Sequence, residues 1–269
     1  MSKQYITVLT IAGSDSSGGA GIQADIKVIT TNNCYAASVT TALTAQNTLG
    51  VQSIMPVPAH FVANQLESVF SDMQISAVKL GMLHSKEIVE VVAEKLKQYK
   101  PKFLVVDPVM VAQSGSKLMA DDVLEPLKRL IFPLATVITP NVPEAQVLLG
   151  RQIGSWSDLE ESAREMSKLF GVNVLIKGGH LELDDCSDLL WQTNQESPMW
   201  FNEKRIDSVN NHGTGCTLSS AIASNLAKGL DLVEAVKEAK RYLTEALKSG
   251  IHYKIGNGSG PVNHLWKMD

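Results

Sequence analysis

Short apolar runs recur along the chain, and most are followed by a stretch with helical spacing. Ile6 to Ala12 is the first, and later runs end at Leu80, Val106, Thr139 and Ile176. Each holds only four or five strongly apolar residues, the pattern of strands covered on both faces. Helical spacing marks Ile22–Asn32, Phe61–Met73, Ser85–Gln98, Asp121–Phe132 and Asp158–Phe170. The alternation predicts βα units and a parallel, doubly wound sheet. Beyond Lys177 the pattern changes. Asp188–Trp191 and Met199–Ile206 predict short antiparallel strands around an Asn/Gln/Ser turn. Thr217–Lys228 and Leu232–Ser249 predict two helices, with Gly229 and Gly250 as C-caps. Gly256-Asn257-Gly258-Ser259-Gly260-Pro261 reads as a mobile segment.

Length and composition narrow the class. With 269 residues, no internal repeat and no long linker, residues 1–269 read as a single α/β domain. A content of 44% hydrophobic and 19% charged residues suits a globular chain with an ample core. A net charge of −4 without a basic block points away from nucleic acid and from anionic membranes. No apolar run reaches the roughly 18 residues a membrane span needs. The N-terminal residues lack the form of a secretory signal. Cys34, Cys186 and Cys216 are scattered, in neither disulfide nor zinc spacing. A cytoplasmic protein is expected.

The polar chemistry gathers just after the predicted strands. Gly13-Ser14-Asp15, Gly81-Met82, Asp107-Pro108-Val109, Pro140-Asn141-Val142-Pro143-Glu144 and Lys177-Gly178-Gly179-His180 each follow one. In an open parallel sheet those positions share one rim, where ligands bind. The loop Gly13–Gly21 is neither a P-loop, since Gly19 and Ala20 follow Gly18, nor a dinucleotide fingerprint, since Ser38–Leu43 holds no acid. It remains a loop whose backbone can approach a small ligand, or a structural turn.

Asn141 and Glu144 stand about one turn apart at a predicted helix start. They can form a capping box, and Glu144 can also bind Mg²⁺; both readings stay open. Asp107 can bind a metal's water or simply end a strand. Lys177 can pair with a nucleotide phosphate or be a solvated strand end. Met82 and Val109 can wall a flat ring or be ordinary core. His212-Gly213-Thr214-Gly215-Cys216 leads straight into a helix of small and apolar residues. A Gly-rich turn there is an anion site, because free N–H groups and the positive helix end face one spot. Cys216 stands at its rim, as a reactive thiol or as buried filler. His212 adjoins the turn and can contact phosphate, whereas His60, His84 and His252 read as surface residues.

Seven ordered blocks carry a resemblance nearly end to end. They are Thr10–Asp25, Thr41–Asn47, Lys79–Leu83, Val106–Val111, Thr139–Glu144, Lys177–His180 and His212–Cys216. In these the chain resembles the hydroxymethylpyrimidine/phosphomethylpyrimidine kinases of thiamine biosynthesis, within the ribokinase superfamily. Gly260–His264 is similar to this family as well. The resemblance implies a ribokinase-like three-layer α/β/α fold with a mainly parallel central sheet. It implies ATP and Mg²⁺ as cofactors, and two successive phosphorylations of 4-amino-5-hydroxymethyl-2-methylpyrimidine.

By the same resemblance, Gln46 bonds the aminopyrimidine edge, and Met82, Val109 and Ala20 pack around the ring. Gly13 and Asp25 belong to the substrate side, and Asn141, Glu144, Asp107 and Lys177 to the Mg-ATP side. Gly213, Thr214, Gly215 and Cys216 form the anion hole. Many relatives end that turn with Asp acting as base; here Cys216 is expected to align or deprotonate the hydroxyl, its thiol pKa lowered by the helix end. A homodimer is implied. The rival reading is a pyridoxal kinase, one subgroup of which carries a cysteine where this chain has Ala112. A silent pyrimidine-binding protein is the reading from another class, disfavoured by Asn141, Glu144, Lys177 and Cys216. The Gly/Ser loop and the residues around Ser114-Gly115-Ser116 are expected to move on closure.

Overall fold

In the computed structural model, residues 4–110, 115, 118–120, 122–180 and 186–268 are described. Ala112, Ser114 and Ser116 lie outside the described residues. The elements run β1 (Thr7–Asp15), α1 (Gly21–Thr31), β2 (Tyr35–Asn47), β3 (Gly50–Pro56), α2 (Ala59–Asp72), β4 (Ile75–Leu80), α3 (Lys86–Tyr99) and β5 (Leu104–Val106). They continue with α4 (Leu124–Pro126), β6 (Val137–Ile138), α5 (Val142–Leu149), α6 (Trp156–Phe170), β7 (Asn173–Lys177), β8 (Asp188–Trp191), β9 (Met199–Phe201), α7 (Thr214–Ala227) and α8 (Leu232–Gly250).

The strands form one nine-stranded sheet in the order β3-β2-β1-β4-β5-β6-β7-β8-β9. From β2 to β7 neighbours are parallel, whereas β3, β8 and β9 are antiparallel at the two edges. Successive strand residues feed opposite faces. Leu9, Val78, Leu80, Leu104 and Val106 pack in one core with residues of α2, α3, α5 and α6. Val8, Ala77, Val105 and Leu175 pack in a second core with α1, α7 and α8. The result is the expected three-layer α/β/α arrangement. β1 lies between β2 and β4, so the chain order reverses there and the following helices leave to opposite faces. That reversal opens a crevice at the carboxyl ends of β1 and β4.

Several sequence expectations need correction. Asp121–Phe132 is not one helix: the described part is a single α-turn, a π-turn over Leu127–Ile131 and a 3₁₀ turn over Phe132–Leu134. Pro126 and Pro133 supply no N–H and crowd the preceding turns. The strand expected at Met199–Ile206 stops at Phe201. Gly229 does end α7 with φ of +93°, but Gly250 lies inside α8 and is glycine because residues 262–263 pass over it. The Gly256–Pro261 segment is pinned rather than loose. Asn257 and Gly258 N–H donate to Thr48 Oγ1 at 3.2 and 3.1 Å, and His212 N–H donates to Gly260 O at 3.0 Å. His84 is half-buried, with Nδ1 2.9 Å from Leu118 O, so only His60 and His252 are surface histidines as expected.

Candidate active site

The strand ends open into a cavity of about 680 Å³ along the crevice, lined by residues from every one of the predicted strand-end clusters. Its centre is the start of α7. Gly213 is the N-cap, with φ of +81° and no side-chain cap. A Cβ there would stand 1.9 Å from Gly19 O, so the turn presses directly on the Gly13–Gly21 loop. One step on, a Cβ at Gly215 would lie 3.3 Å from Lys177 Nζ and 3.4 Å from Asp107 Oδ2. The anion turn is thus wedged between a glycine loop and a buried cation. Nothing in the sequence pattern gives that adjacency.

On the cation side, Lys177 Nζ lies 2.7 Å from Asp107 Oδ1 and 4.0 Å from Glu144 Oε2. Its side chain is 13% exposed, which rules out a solvated strand end. Burial opposes its charge, but Asp107 and Glu144 outweigh that and raise its pKa. Asn141 and Glu144 form the full capping box of α5, with Asn141 N–H donating to Glu144 Oε2 and Glu144 N–H to Asn141 Oδ1, both at 2.8 Å. Burial pushes the Glu144 carboxyl up to about 7, Lys177 pulls it back, and Asp107 adds to the rise. The turn after β7 is itself fixed from behind: Gly178 N–H donates to Asp188 Oδ1 at 3.1 Å, and Lys240 of α8 holds Asp188 Oδ2 at 2.7 Å. Beyond it the cavity runs on to Arg205, Leu243, Thr244 and Leu247, none of which the sequence singled out.

On the other side, Met82 packs with Ala42 and Leu118, flanked by Val51, Ile54 and Val109. Ala42, Val51 and Ile54 of the missed hairpin β2–β3 therefore back the apolar wall that Met82, Val109 and Leu118 present to the cavity. Gly13, Ala20 and Gln46 also face the cavity. His212, expected near phosphate, lines the cavity beside the anion turn, and its Nε2 is 2.9 Å from Asp15 Oδ2 and 3.3 Å from Gln46 Nε2.

Asp25, also expected on that side, does not line the cavity. It is fully buried behind it, where both oxygens take Lys79 Nζ at 2.9 Å and hydroxyls of Thr10 and Ser220 at 2.6 and 2.7 Å. Lys79 does reach the cavity floor. Burial opposes its charge, yet Asp25 keeps its pKa raised. A lysine between Val78 and Leu80 in an otherwise apolar strand was the available signal for this pair, since a buried cation needs a partner.

Cys216 is half-buried at the start of α7. The expectation of a lowered thiol pKa is overturned. Burial pushes it up to about 11; Lys79 works against that, while Asp25 and Asp107 add to it. Desolvation here exceeds the lowering by Lys79 and by a backbone hydrogen bond at Gly21.

The family model for phosphomethylpyrimidine kinase matches residues 15–263. The chain belongs to that family. Among its relatives, the thiamine biosynthesis bifunctional protein ThiED of Geobacter sulfurreducens is 49% identical over 96% of the chain. The chain spans only 52% of that protein's length. A crystal structure of phosphomethylpyrimidine kinase from Clostridium difficile has a TM-score of 0.79 at 44% identity, covering 90% of this chain and 99% of that one. An ADP complex of Bacillus subtilis pyridoxal kinase has a TM-score of 0.90 at 34% identity, covering 98% of this chain and 99% of that one. Among the described residues, no helix of the chain is long and apolar enough to cross a membrane.

Proposed function

We propose that the chain uses ATP to phosphorylate the hydroxymethyl group of 4-amino-5-hydroxymethyl-2-methylpyrimidine, and then the monophosphate to the diphosphate. The observation that carries this reading is the wedging of the Gly213–Cys216 turn between the Gly13–Gly21 loop and the Lys177–Asp107 pair. A phosphoryl group on that turn has a flat apolar pocket on one side and a cation on the other. The ring lies against Met82, Val109 and Ala20, with its polar edge toward Gln46. The nucleotide lies toward Asn141, Lys177 and the α8 end of the cavity; the use of ATP itself is supported by the solved ADP complex of a relative.

Phosphoryl transfer needs alignment and neutralised charge more than covalent chemistry. Lys177 supplies a point charge that Asp107 holds in place. The N–H groups at the start of α7 supply preorganised donors where charge develops. Asp107 and Glu144 offer the hard oxygen donors that Mg²⁺ takes alongside phosphates and water, and these two carboxylates would hold it. Bound Mg²⁺ supplies neutralisation of phosphate charge. Glu144, at about 7 without metal, would give up its remaining proton to such binding. A thiol raised to about 11 favours Cys216 as a group that aligns the hydroxyl over one that removes its proton. A loose transition state demands little prior activation of that hydroxyl.

The same proposal includes one domain over residues 1–269, a cytoplasmic setting and homodimeric assembly. The test is a kinase assay that resolves mono- from diphosphate on the hydroxymethylpyrimidine, with pyridoxal in parallel. Sequential appearance of both products supports the reading. Faster turnover of pyridoxal would replace it with the pyridoxal kinase reading, which the high structural similarity to that enzyme keeps in view. Ring binding without ATP consumption would point to a silent binding protein.

A further inference from the structure

Asp15 ends β1 and turns its carboxylate back onto its own loop. It accepts the N–H groups of Ser17, Gly19 and Ala20 at 2.8, 3.1 and 2.8 Å, and the Ser17 hydroxyl at 2.7 Å. Burial raises its pKa, but the hydrogen bonds from His212, Ser17 and Ala20 outweigh that and hold it at about 2. An ionised carboxylate only accepts, so the proton in the 2.9 Å contact with His212 sits on Nε2. That same nitrogen lies 3.3 Å from Gln46 Nε2, while Gln46 Oε1 lies 3.1 Å from Thr44 Oγ1.

Thr44 has one hydroxyl proton, and Ser14 O takes it at 2.8 Å. With the carboxamide so turned, donor faces donor at His212, and Gln46 Oε1 takes only a share of the Thr44 proton at 3.1 Å. A half-turn exchanges two nearly isosteric arms: Gln46 Nε2 then donates to Thr44 Oγ1, and Oε1 shares with Asp15 the one proton on His212 Nε2. The backbone gives no other relief: the Ser16 hydroxyl accepts from Gln46 N at 2.9 Å and donates to Gln46 O at 2.8 Å, so the strand end is fixed.

We propose that Asp15 and His212 lock the orientation of the Gln46 carboxamide, and that this lock selects a 4-aminopyrimidine edge over its 4-oxo counterpart. The inference rests on the proposed function and deepens it. After His212 and Thr44 are served, the carboxamide retains one acceptor site on the His212 side and one N–H on the Thr44 side. With the hydroxymethyl group aimed at the Gly213–Cys216 turn, the ring meets this edge in one order only. An amino group beside a bare ring nitrogen offers donor then acceptor. A 4-oxo ring with a protonated nitrogen offers acceptor then donor. A locked carboxamide matches the first and opposes the second; a free one would turn to suit either. His212 is proposed to act through Gln46, 3.3 Å away, so it is a positioning residue.

The test compares kcat and KM on 5-hydroxymethyl-2-methylpyrimidine carrying either the 4-amino or the 4-oxo group. The proteins are the native chain, His212→Phe, His212→Gln and Thr44→Val. Where the oxo ring is not turned over, its inhibition constant gives the same ratio. The native chain should prefer the amino ring by about a hundredfold, the discrimination a paired polar edge provides. His212→Phe and Thr44→Val should each cut that preference at least about tenfold, chiefly through a higher KM for the amino ring. His212→Gln, which keeps an N–H donor, should retain most of it. If His212→Phe and Thr44→Val slow both rings by one factor and leave the ratio intact, the pair serves only the fold and the proposal is overturned. Thr44→Val decides the matter should His212→Phe not fold. A native chain that phosphorylates neither ring sinks the proposed function, and this inference with it. Native turnover with unchanged ratios in the variants sinks this inference alone.

Discussion

At Cys216 a nearby lysine, Lys79, and a loss of water pull the thiol in opposite directions, and the loss of water prevails. A neutral thiol at the rim of the anion turn can orient a hydroxyl without carrying charge of its own. Cys216→Ala should therefore lower kcat on both steps by on the order of 10²-fold, with little change in KM for the ring. Cys216→Ser should recover part of that loss. Steady-state kinetics decide it: unchanged kcat in the alanine variant would remove Cys216 from the reaction. At this scale the sequence is legible where a side chain follows a strand, as at Asp107, Asn141, Glu144 and Lys177. It is illegible where a polar group acts through another. Asp15 and Lys79 stand inside quoted blocks, yet their partners His212 and Asp25 are 197 and 54 residues away, and no spacing rule joins them.

Among elements, β1, β4, β5 and β7 are legible because both faces are covered and each carries an apolar run. β2 and β3 are not. β2 mixes buried with exposed residues, β3 has none that is buried, and Thr, Ser and Gln interrupt them, so no apolar run marks them. The hairpin nonetheless carries Gln46 and backs the apolar wall, which is why the support behind Met82 and Val109 could not be drawn from the sequence. The start of α7 is legible as a turn, but its pressure against Gly19 is not. Gly213→Ala would force a side chain into the left-handed region and onto a carbonyl. We expect a loss of roughly 1–3 kcal/mol in stability together with more than a hundredfold loss of turnover. Gly229→Ala is the matched control, since its φ of +93° imposes similar backbone strain in open space. It should cost about 1 kcal/mol and leave turnover intact. Equal effects on turnover from both changes would mean that Gly213 matters only for folding.

For the whole molecule, the Asp25–Lys79 pair joins α1 to β4, while Thr10 and Ser220 extend it to β1 and α7. Lys79→Met leaves a buried carboxylate without its cation and should cost about 3–5 kcal/mol in urea unfolding. Adding Asp25→Asn should return part of that loss; a larger combined loss would show that the ion pair is not the source. A second global effect is pH-dependent. Burial lowers the pKa of His264 to about 4, and its Nε2 has no hydrogen-bond partner among the described residues. The unfolded chain therefore binds this proton more readily than the folded one between about 6.5 and 4. Stability present above pH ~6.5 is lost as pH falls toward 4, by about 3 kcal/mol in all. His264→Phe should flatten that slope, and an unchanged slope would assign the acid sensitivity elsewhere. The βα alternation made the layered architecture legible, whereas charges buried between layers leave no periodic trace.

The strap at Gly256–Pro261 also acts at a distance from the ligand. Every residue lining the cavity precedes position 248, yet the strap ties the β2–β3 turn to the anion turn through Thr48, Gly260 and His212, with Ser259 adding bonds to Val209 O and Asn211 Oδ1. A short segment that lines no part of the cavity thus limits how far two turns remote in sequence can separate, and so restrains the width of the site from outside it.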